Sequence, residues 1–278
     1  GHLIASGAGT DNIVLTSKTT IEDVIAAYEI QCEAVEAAGS RVVLMASRAL
    51  CQLAKGPDDY ARVYNRVLGG LSEPAIIHWL GEMFDPALEG YWGAVDHMTA
   101  MDTCLQIIED NNKSIAGIKI SLLSAQKEIA MRRRLPMGVS MYTGDDFNYP
   151  DLIKGDAHGY SHALLGIFDP IASVATRALN ALGQGDDVAY YNAFDPTVSL
   201  SRHIFQRPTR FYKTGVVFLA YLTGHQNHFT MVAGQESARS TQHLAQIVRF
   251  ANTSGLFRDV DLAAYRVRSI MAIRGVVK

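Results

Sequence analysis

The stretch Ile115-Ala116-Gly117-Ile118-Lys119-Ile120 decides how this chain folds. It is a short apolar run rich in isoleucine, which is typical of a strand buried in a parallel sheet, and Lys119 is its one charged residue. Burying an ammonium group costs roughly several kcal/mol unless the group is paired or neutral. A neutral amine at the end of such a strand can attack a carbonyl substrate and form a Schiff base. The alternative is that Lys119 points outward and extends past a helix to solvent, and the strand alone does not decide between the two.

Five further short apolar runs predict strands, and stretches with helical spacing separate them. The clearest helix is predicted over Thr20–Ala38, where Thr19 or Thr20 can cap the first turn and Gly39 can end the helix. Because parallel strands need long crossover connections, this alternation predicts a parallel sheet. The further strands are Leu3–Ala5, Arg41–Ala46, Ala75–Leu80, Val139–Thr143 and Tyr160–Gly166, and helices are also predicted over about Pro57–Leu71 and Gly93–Glu109.

The strand pattern stops after about Asp169, and the rest of the chain has helical spacing. The pattern therefore predicts an α/β domain over residues 1–169, followed over residues 170–278 by a last domain helix and a helical C-terminal extension. The helices predicted in this part are Pro170–Leu182, Asp187–Ala193, Arg210–Leu222, Glu236–Thr253 and Asp259–Ile273.

Composition excludes several classes of protein. The chain has 278 residues, of which 48% are hydrophobic and 19% charged, with a net charge of −3, so it is not an intrinsically disordered chain. The near-neutral charge argues against a nucleic-acid-binding protein, since phosphate binding needs a basic surface. No apolar run approaches the roughly 18 residues of a membrane-spanning helix, and the first residues show no leader pattern. We therefore predict a cytoplasmic protein that binds neither nucleic acid nor membrane.

Polar residues follow several of the predicted strands. Tyr142-Thr143-Gly144-Asp145-Asp146 combines the end of a strand with a glycine and two carboxylates. Ligand sites of parallel α/β folds gather at the C-terminal ends of strands, although a loop glycine before a helix-capping aspartate is the commoner reason for this pattern. His78 ends another strand and is a candidate acid or base, or a structural histidine. Ser161 and His162 alternate across the sheet, so only one of them can face a shared site.

The order of these elements resembles the dihydrodipicolinate synthase / N-acetylneuraminate lyase superfamily of class I aldolases. The resemblance lies in Pro74–His78, Gly117–Lys119, Tyr142–Asp146 and Gly159–Gly166, followed by a helical tail. It implies a (β/α)8 TIM barrel with a C-terminal helical extension, in which the Schiff-base lysine ends strand six. A closer resemblance, over nearly the whole chain, is to a bacterial family of unknown function, DUF993. The segments that carry it are Leu44–Arg48, Trp79–Pro86, Lys119–Leu123, Tyr142–Pro150, Tyr160–Asp169 and Arg202–Leu219.

The superfamily numbering of the strands implies that the chain begins at strand three. If Lys119 ends strand six, then Pro74–His78 is strand five, Arg41–Ala46 strand four and His2–Gly7 strand three. Strands one and two are then expected to precede residue 1, and residues 1–169 are expected to hold strands three to eight of the barrel.

The resemblance also implies roles for single residues. Lys119 takes the place of the imine-forming lysine, and His78 falls where the superfamily has a tyrosine that shuttles protons. Asp146 falls near a carboxylate that binds sugar hydroxyls in the sialic acid lyases. The loop after His78 lacks the carboxylate-binding arginine of the synthases, and Arg48 is a candidate replacement because guanidinium binds anions through paired contacts. The predicted substrate-binding residues are Arg48, Glu82, Tyr142, Thr143, Gly144, Asp145, Asp146, Ser161 and His162.

Three hypotheses of function follow. The first is a Schiff-base lyase or aldolase that needs no cofactor and acts on a small keto acid or a sugar-derived keto compound. The second keeps the barrel but uses a divalent metal, for which Asp145, Asp146, Glu82, Asp85 and His78 are candidate ligands. The third is a non-catalytic sugar-acid binder on an aldolase fold. A homodimer or homotetramer is also expected, from the superfamily and from the aromatic residues Phe205, Phe211, Tyr212, Phe218, Tyr221 and Phe229.

Overall fold

Six parallel strands form one sheet in the computed structural model, which describes residues 4–276. Each strand pairs with the one before it in the chain, which is the order of a singly wound α/β sheet, as in a barrel. The parallel sheet and its crossover helices are as predicted. The strands are β1 (Ala5–Ala8), β2 (Arg41–Leu44), β3 (Ala75–Leu80), β4 (Ile115–Ser121), β5 (Ser140–Thr143) and β6 (His162–Ala163).

The described residues divide into two units. One contains residues 4–145 and 151–164 and holds the six strands; the other contains residues 146–150 and 165–276 and is helical. The helices that begin before residue 160 are α1 (Ile21–Ala37), α2 (Arg48–Leu53), α3 (Pro57–Gly69), α4 (His97–Asp110), α5 (Ala125–Arg132) and α6 (Tyr149–Lys154). The later helices are α7 (Phe168–Gly183), α8 (Asp187–Ile204), α9 (Tyr212–Leu222), α10 (Thr241–Thr253) and α11 (Val260–Ile273). No helix of the described part is long and apolar enough to cross a membrane.

Helix α1 shows how local sequence sets an element. The Thr20 hydroxyl accepts a hydrogen bond from the backbone N–H of Asp23, and the Asp23 carboxylate accepts one from the backbone N–H of Thr20. This reciprocal capping box satisfies N–H groups that the first turn leaves without partners. The chain leaves the helix through Gly39, whose φ of +72° suits glycine. Both the predicted cap and the predicted end are confirmed.

The core of the sheet unit lies on one face of the sheet. Ile77 of β3 and Ile118 and Ile120 of β4 are buried there against apolar residues of α1, α3 and α4. Side chains of a strand alternate between faces, so the residues between these isoleucines point to the opposite face. One extra residue in β4 shifts the register between β3 and β4, because Ala75 pairs with Ile115 while Ile76 pairs with Gly117. This bulge at Ala116 brings His78 opposite Lys119.

Several element boundaries differ from the prediction. The run Tyr160–Gly166 forms a strand only at His162–Ala163, and Arg41–Ala46 forms one only as far as Leu44. The first strand is Ala5–Ala8 and not Leu3–Ala5; Leu3 and His2 lie outside the described residues. Apolar residues near the strand ends, such as Leu165, are buried without being strand residues, so their hydrophobicity extended the predicted strands too far.

In the helical unit, α8 continues to Ile204, although it was predicted to stop at Ala193. Pro196 removes one backbone donor, yet Tyr190, Phe194 and Leu200 remain buried at helical spacing on both sides of it. Helix α10 begins at Thr241 and not at Glu236, because the Ser240 hydroxyl caps it.

The aromatic residues that suggested self-association are largely used within this unit. Phe205 and Phe218 are fully buried, and Phe229 is 9% exposed. Phe205 stacks on Tyr212 with ring centroids 4.6 Å apart, and Phe218 packs on Phe229 at 5.1 Å. These residues therefore give no reason to expect an oligomer, which stays a prediction from the resemblance.

Candidate active site

Four neighbouring strands each place one side chain on the same face of the sheet. His78 of β3 lies opposite Lys119 of β4. Lys119 in turn lies opposite Tyr142 of β5, and Tyr142 lies opposite His162 of β6. Residues opposite each other in a sheet point to the same face, so the four side chains form a continuous row, the Lys119 row. The row lies on the face opposite the apolar core of the unit, which answers the question of where Lys119 points.

His78 is a buried, neutral imidazole within this row. Its Nε2 atom and the Ser121 hydroxyl are joined by a hydrogen bond of 3.0 Å. Burial lowers the pKa of His78 well below its usual value of 6.5, and the nearby charge of Lys119 lowers it further. A neutral imidazole has one nitrogen that donates and one that accepts, so it can both take up and release a proton.

Two glycines make room for the side chains of the row. A Cβ atom on Gly117 would lie 2.5 Å from the Tyr142 ring, so the missing side chain lets that ring lie beside β4. A Cβ atom on Gly144 would lie 2.1 Å from the Ser121 hydroxyl and 2.9 Å from Cε of Lys119. The Gly144 N–H also donates to the Ile120 carbonyl, at 2.8 Å. The turn after β5 is therefore packed directly against the lysine side chain.

A cluster of buried polar side chains lies on the other face of β5. The Thr143 hydroxyl donates to Oε2 of Glu128 at 2.9 Å and accepts from the backbone N–H of Asp145 at 3.1 Å. The Ser161 hydroxyl accepts from the Arg132 guanidinium at 3.3 Å. Because Ser161 and His162 alternate across the sheet, His162 joins the Lys119 row, whereas Ser161 belongs to this cluster on the opposite face. Glu128, Thr143, Asp145 and Ser161 are each at most 1% exposed.

Charged residues after β2 and β3 are paired with one another. Arg48, which begins α2 and is 63% exposed, forms an ion pair with Asp85. The Glu82 carboxylate lies 3.0 Å from the Nε2 atom of His97. The other ring nitrogen of His97 is hydrogen-bonded to the ammonium group of Lys127. The imidazole of His97 thus joins an acidic residue of the β3 loop to a basic residue of α5.

Asp146 belongs to the helical unit. Its carboxylate accepts a hydrogen bond of 2.8 Å from the backbone N–H of Ile167, and its backbone carbonyl accepts one from the Ser201 hydroxyl. Among residues 4–276, no three His, Cys, Asp or Glu side chains are grouped closely enough to hold a metal ion. The five ligands suggested for a divalent metal are thus not gathered at one point: Glu82 bonds His97, Asp85 pairs with Arg48, and His78 bonds Ser121.

Some residues of the site had no role in the sequence prediction. Ser121 could have been found, because it lies two positions after Lys119 and a strand has a period of two. Glu128, His97 and Lys127 could not, because each makes its contact with a residue 15 or more positions away. An acidic residue in the first turn of a helix is common and gives no sign of a buried hydrogen bond.

A known family matches almost the full chain. The family described as "Protein of unknown function (DUF993)" matches residues 1–276. No protein with a curated description matches the chain.

Solved structures of the dihydrodipicolinate synthase family have the same fold. A prophage protein of that family from E. coli K12, in complex with pyruvate, matches with a TM-score of 0.67 and 14% identity, over 91% of this chain and 75% of that chain. The synthase of Thermotoga maritima matches with a TM-score of 0.63 and 13% identity, over 92% and 76%. A monomeric variant of the synthase matches with a TM-score of 0.63 and 14% identity, over 92% and 75%. Identities this low show the fold and nothing about the reaction.

Proposed function

The chain belongs to the DUF993 family, and from this starting point we propose that it is a Schiff-base-forming lyase or aldolase that acts on a small keto acid or a sugar-derived keto compound. The observation that carries the proposal is the Lys119 row. It sets an amine between a neutral imidazole and a phenol, on a strand whose other face is packed in the core. Imine formation needs an amine and nearby groups that can give and take protons, and the row contains candidates for both.

The row accounts for each proton of imine formation. Once the ammonium group of Lys119 has given up a proton, its neutral amine attacks the keto carbon. An N–C bond forms, the nitrogen gives up one proton and the carbonyl oxygen gains one, which gives a carbinolamine. Loss of water from this adduct, with a proton delivered to the departing hydroxyl, leaves the protonated imine, an iminium ion. His78 can release and recover these protons because it is neutral, and the Ser121 hydroxyl extends its reach. Tyr142, on the other side of Lys119, is the second hydroxyl available to the substrate oxygen.

The imine then draws electrons from the neighbouring carbon–carbon bond. When that bond breaks, its electron pair moves toward the iminium nitrogen and leaves an enamine, while the fragment with a hydroxyl group loses its proton to a base and departs as a carbonyl compound. Addition runs the same steps in reverse. His78 is the base that this proposal assigns. The enamine carbon takes up a proton from the protonated base to give the imine again, and hydrolysis of this imine releases the product and restores the Lys119 amine.

The substrate is proposed to be an anion with a keto group. Arg48 is the proposed anion-binding residue, because it begins α2 directly after β2 and its side chain is largely exposed. The remaining predicted substrate contacts, namely Glu82, Tyr142, Thr143, Gly144, Asp145, Asp146, Ser161 and His162, stay predictions. Pyruvate is the first probe to use, because a structural relative was crystallised with it.

Borohydride trapping tests the proposal. The protein is incubated with pyruvate and with a panel of longer and hydroxylated 2-keto acids, reduced with borohydride, digested, and mapped by mass spectrometry. We expect a mass increase on the peptide that contains Lys119 with at least one compound. Lys119→Ala and Lys119→Arg should both abolish the adduct, because a guanidinium stays protonated and cannot attack a carbonyl. Lys113→Ala, which removes an exposed lysine just before β4, is the matched control and should keep it.

Other outcomes point to the other hypotheses. No adduct with any compound of the panel would overturn the covalent mechanism. Activity that is lost with EDTA and restored by Mg²⁺ or Mn²⁺ would support a metal-dependent lyase instead. Thermal stabilisation by a sugar acid without turnover would support a binding protein. Light scattering at micromolar protein concentration tests the predicted dimer or tetramer.

A further inference from the structure

Glu128 is a buried acidic residue that the chemistry proposed above does not use. It lies in the first turn of α5, on the face of the sheet opposite the Lys119 row, and is 1% exposed. Burying a carboxyl group this deeply lowers the stability of the fold unless hydrogen bonds compensate for the lost hydration. The hydrogen-bond partners of Glu128 therefore indicate which part of the site it supports.

A short chain of contacts leads from Glu128 through the sheet to the lysine. The Glu128 carboxylate accepts the Thr143 hydroxyl proton at 2.9 Å, which fixes the direction of that hydroxyl. The oxygen of Thr143 is then oriented to accept the backbone N–H of Asp145 at 3.1 Å. These two bonds define the turn at Gly144, which approaches Lys119 so closely that a Cβ atom there would lie 2.9 Å from Cε of the lysine.

We propose that Glu128 is a positioning residue, which acts through the Thr143 hydroxyl on the Gly144–Asp145 turn and so sets the position of the Lys119 side chain. The inference rests on the proposed function, because it assigns Glu128 to the support of an imine-forming lysine. Glu128 does not touch the substrate. It is a separate residue from those that carry out the proton transfers.

The groups that face Glu128 make its charge sensitive to pH near neutrality. Burial raises the pKa of Glu128 to about 7; the hydroxyls of Ser161 and Thr143 oppose this rise, the charge of Asp145 adds to it, and the guanidinium of Arg132 opposes it. Hydrogen bonds to an ionised carboxylate are stronger than those to a neutral carboxyl group. The Gly144–Asp145 turn is therefore held more firmly above pH 7 than below it.

The experiment uses Glu128→Gln, Thr143→Val and a control, Glu33→Gln, which alters an exposed glutamate of α1. The first readout is the rate of borohydride-trapped adduct formation with pyruvate, or with the best compound of the panel, between pH 5.5 and 8.5. We expect the ratio of the wild-type rate to the Glu128→Gln rate to rise by about fivefold with a midpoint near pH 7, the effect of about one hydrogen bond. Thr143→Val should lower the rate at every pH, because it breaks the contact to the turn.

The second readout is hydrogen exchange of the peptide covering residues 141–149, which needs no substrate. Both Glu128→Gln and Thr143→Val should speed exchange there at pH 8, and Glu33→Gln should not. A ratio that stays flat across the pH range would reduce Glu128 to a structural residue and overturn the proposal, as would unchanged exchange in both variants. If the wild type forms no adduct, the proposed function fails, while exchange still decides whether Glu128 holds the turn.

Discussion

The sheet unit and the helical unit use their buried polar groups in different ways. In the sheet unit, buried polar side chains bond mainly to one another, as His78 does to Ser121 and Thr143 to Glu128. In the helical unit, the buried guanidinium of Arg239 donates to four backbone carbonyls between α8 and α9. Groups paired with side chains can change their proton state or their partner, whereas a guanidinium held by several backbone carbonyls stays charged and fixed. We therefore expect the proposed chemistry in the sheet unit and a structural role for Arg239 in the helical unit.

The largest effect is expected from Gly144→Ala in the sheet unit. The added Cβ would lie 2.1 Å from the Ser121 hydroxyl and 2.8 Å from the Ile120 carbonyl, so the turn must move away from Lys119. Displacement of a reacting group by about 1 Å can cost on the order of 100-fold in rate, and we expect a loss of that size in adduct formation. Trapping with the best compound of the panel measures it, and circular dichroism checks that the variant is folded. A rate within about threefold of wild type would show that the turn does not position the lysine.

The next effect is expected from Arg239→Ala in the helical unit. The change removes the guanidinium that donates to the carbonyls of Ile204, Gln206, Arg207 and Pro208, and we expect a loss of about 3 kcal/mol in the free energy of unfolding. Urea denaturation measures the loss. Arg249→Ala is the matched control on α10, since its exposed side chain bonds only Gln246 among the hydrogen bonds described, and it should cost less than about 0.5 kcal/mol.

Glu128→Gln should change the pH dependence of stability on the alkaline side. The folded pKa of Glu128, about 7, is above its usual value of 4.5, so the stability that this group contributes is complete below about pH 4.5 and is lost as the pH rises through 7. Glutamine has no such loss. The variant should therefore gain about 2 kcal/mol on the wild type between pH 5 and pH 8, read from denaturation at each pH. A constant difference would mean that Glu128 is not buried as described.

His243 in the helical unit should respond in the opposite direction. Burial lowers its pKa to about 4, helped by the charges of His203 and Arg239. The folded pKa is below the usual 6.5, so the stability from neutral His243 is complete above about pH 6.5 and is lost as the pH falls toward 4. His243→Phe can keep the stacking on His203, whose ring centroid lies 4.2 Å away. As the pH falls toward 4, the variant should lose about 1 kcal/mol less of its free energy of unfolding than the wild type. Acid melting curves that match the wild type would refute the lowered pKa of His243.

The smallest effect is expected from Gly183→Ala, the counterpart of Gly144→Ala in the other unit. Gly183 is exposed at the end of α7, and a Cβ atom there would meet nothing within 4 Å. Alanine lowers the entropy of the unfolded chain, so we expect a gain of about 0.5 kcal/mol in the free energy of unfolding and no change in adduct formation. Thermal melting detects the gain, and a loss of stability would mean that α7 ends before this residue.

Much of the fold could be predicted from the sequence because the relevant signals are local. The β-branched runs and the Thr20 cap act within a few residues, so the parallel strands and α1 followed from them. The predicted ends of helices and strands were wrong where residues are buried by distant parts of the chain. Helix α8 passes Pro196 because buried neighbours at Phe194 and Leu200 stabilise it, and no local pattern shows such neighbours.

The candidate site divides in the same way. The position of Lys119 on an apolar strand and of His78 at a strand end could be read from the chain, whereas their pairing across the sheet depends on the register. Glu128 and Lys127 enter only through contacts with other elements. Sequence reasoning therefore named the residues that the proposed mechanism uses and missed the residues that contact them from other elements.

The bulge at Ala116 fixes which residues of β3 and β4 lie opposite each other. Without the extra residue, Lys119 would pair with Trp79, whose side chain lies in the apolar core, and His78 with Ile118. Insertions and deletions inside β3 or β4 would thus reverse which face carries the amine, whereas changes of length in the connection that contains α4 would not. Natural length variation should accordingly be confined to the connections, and an odd-numbered change within either strand would identify a relative that has lost the row.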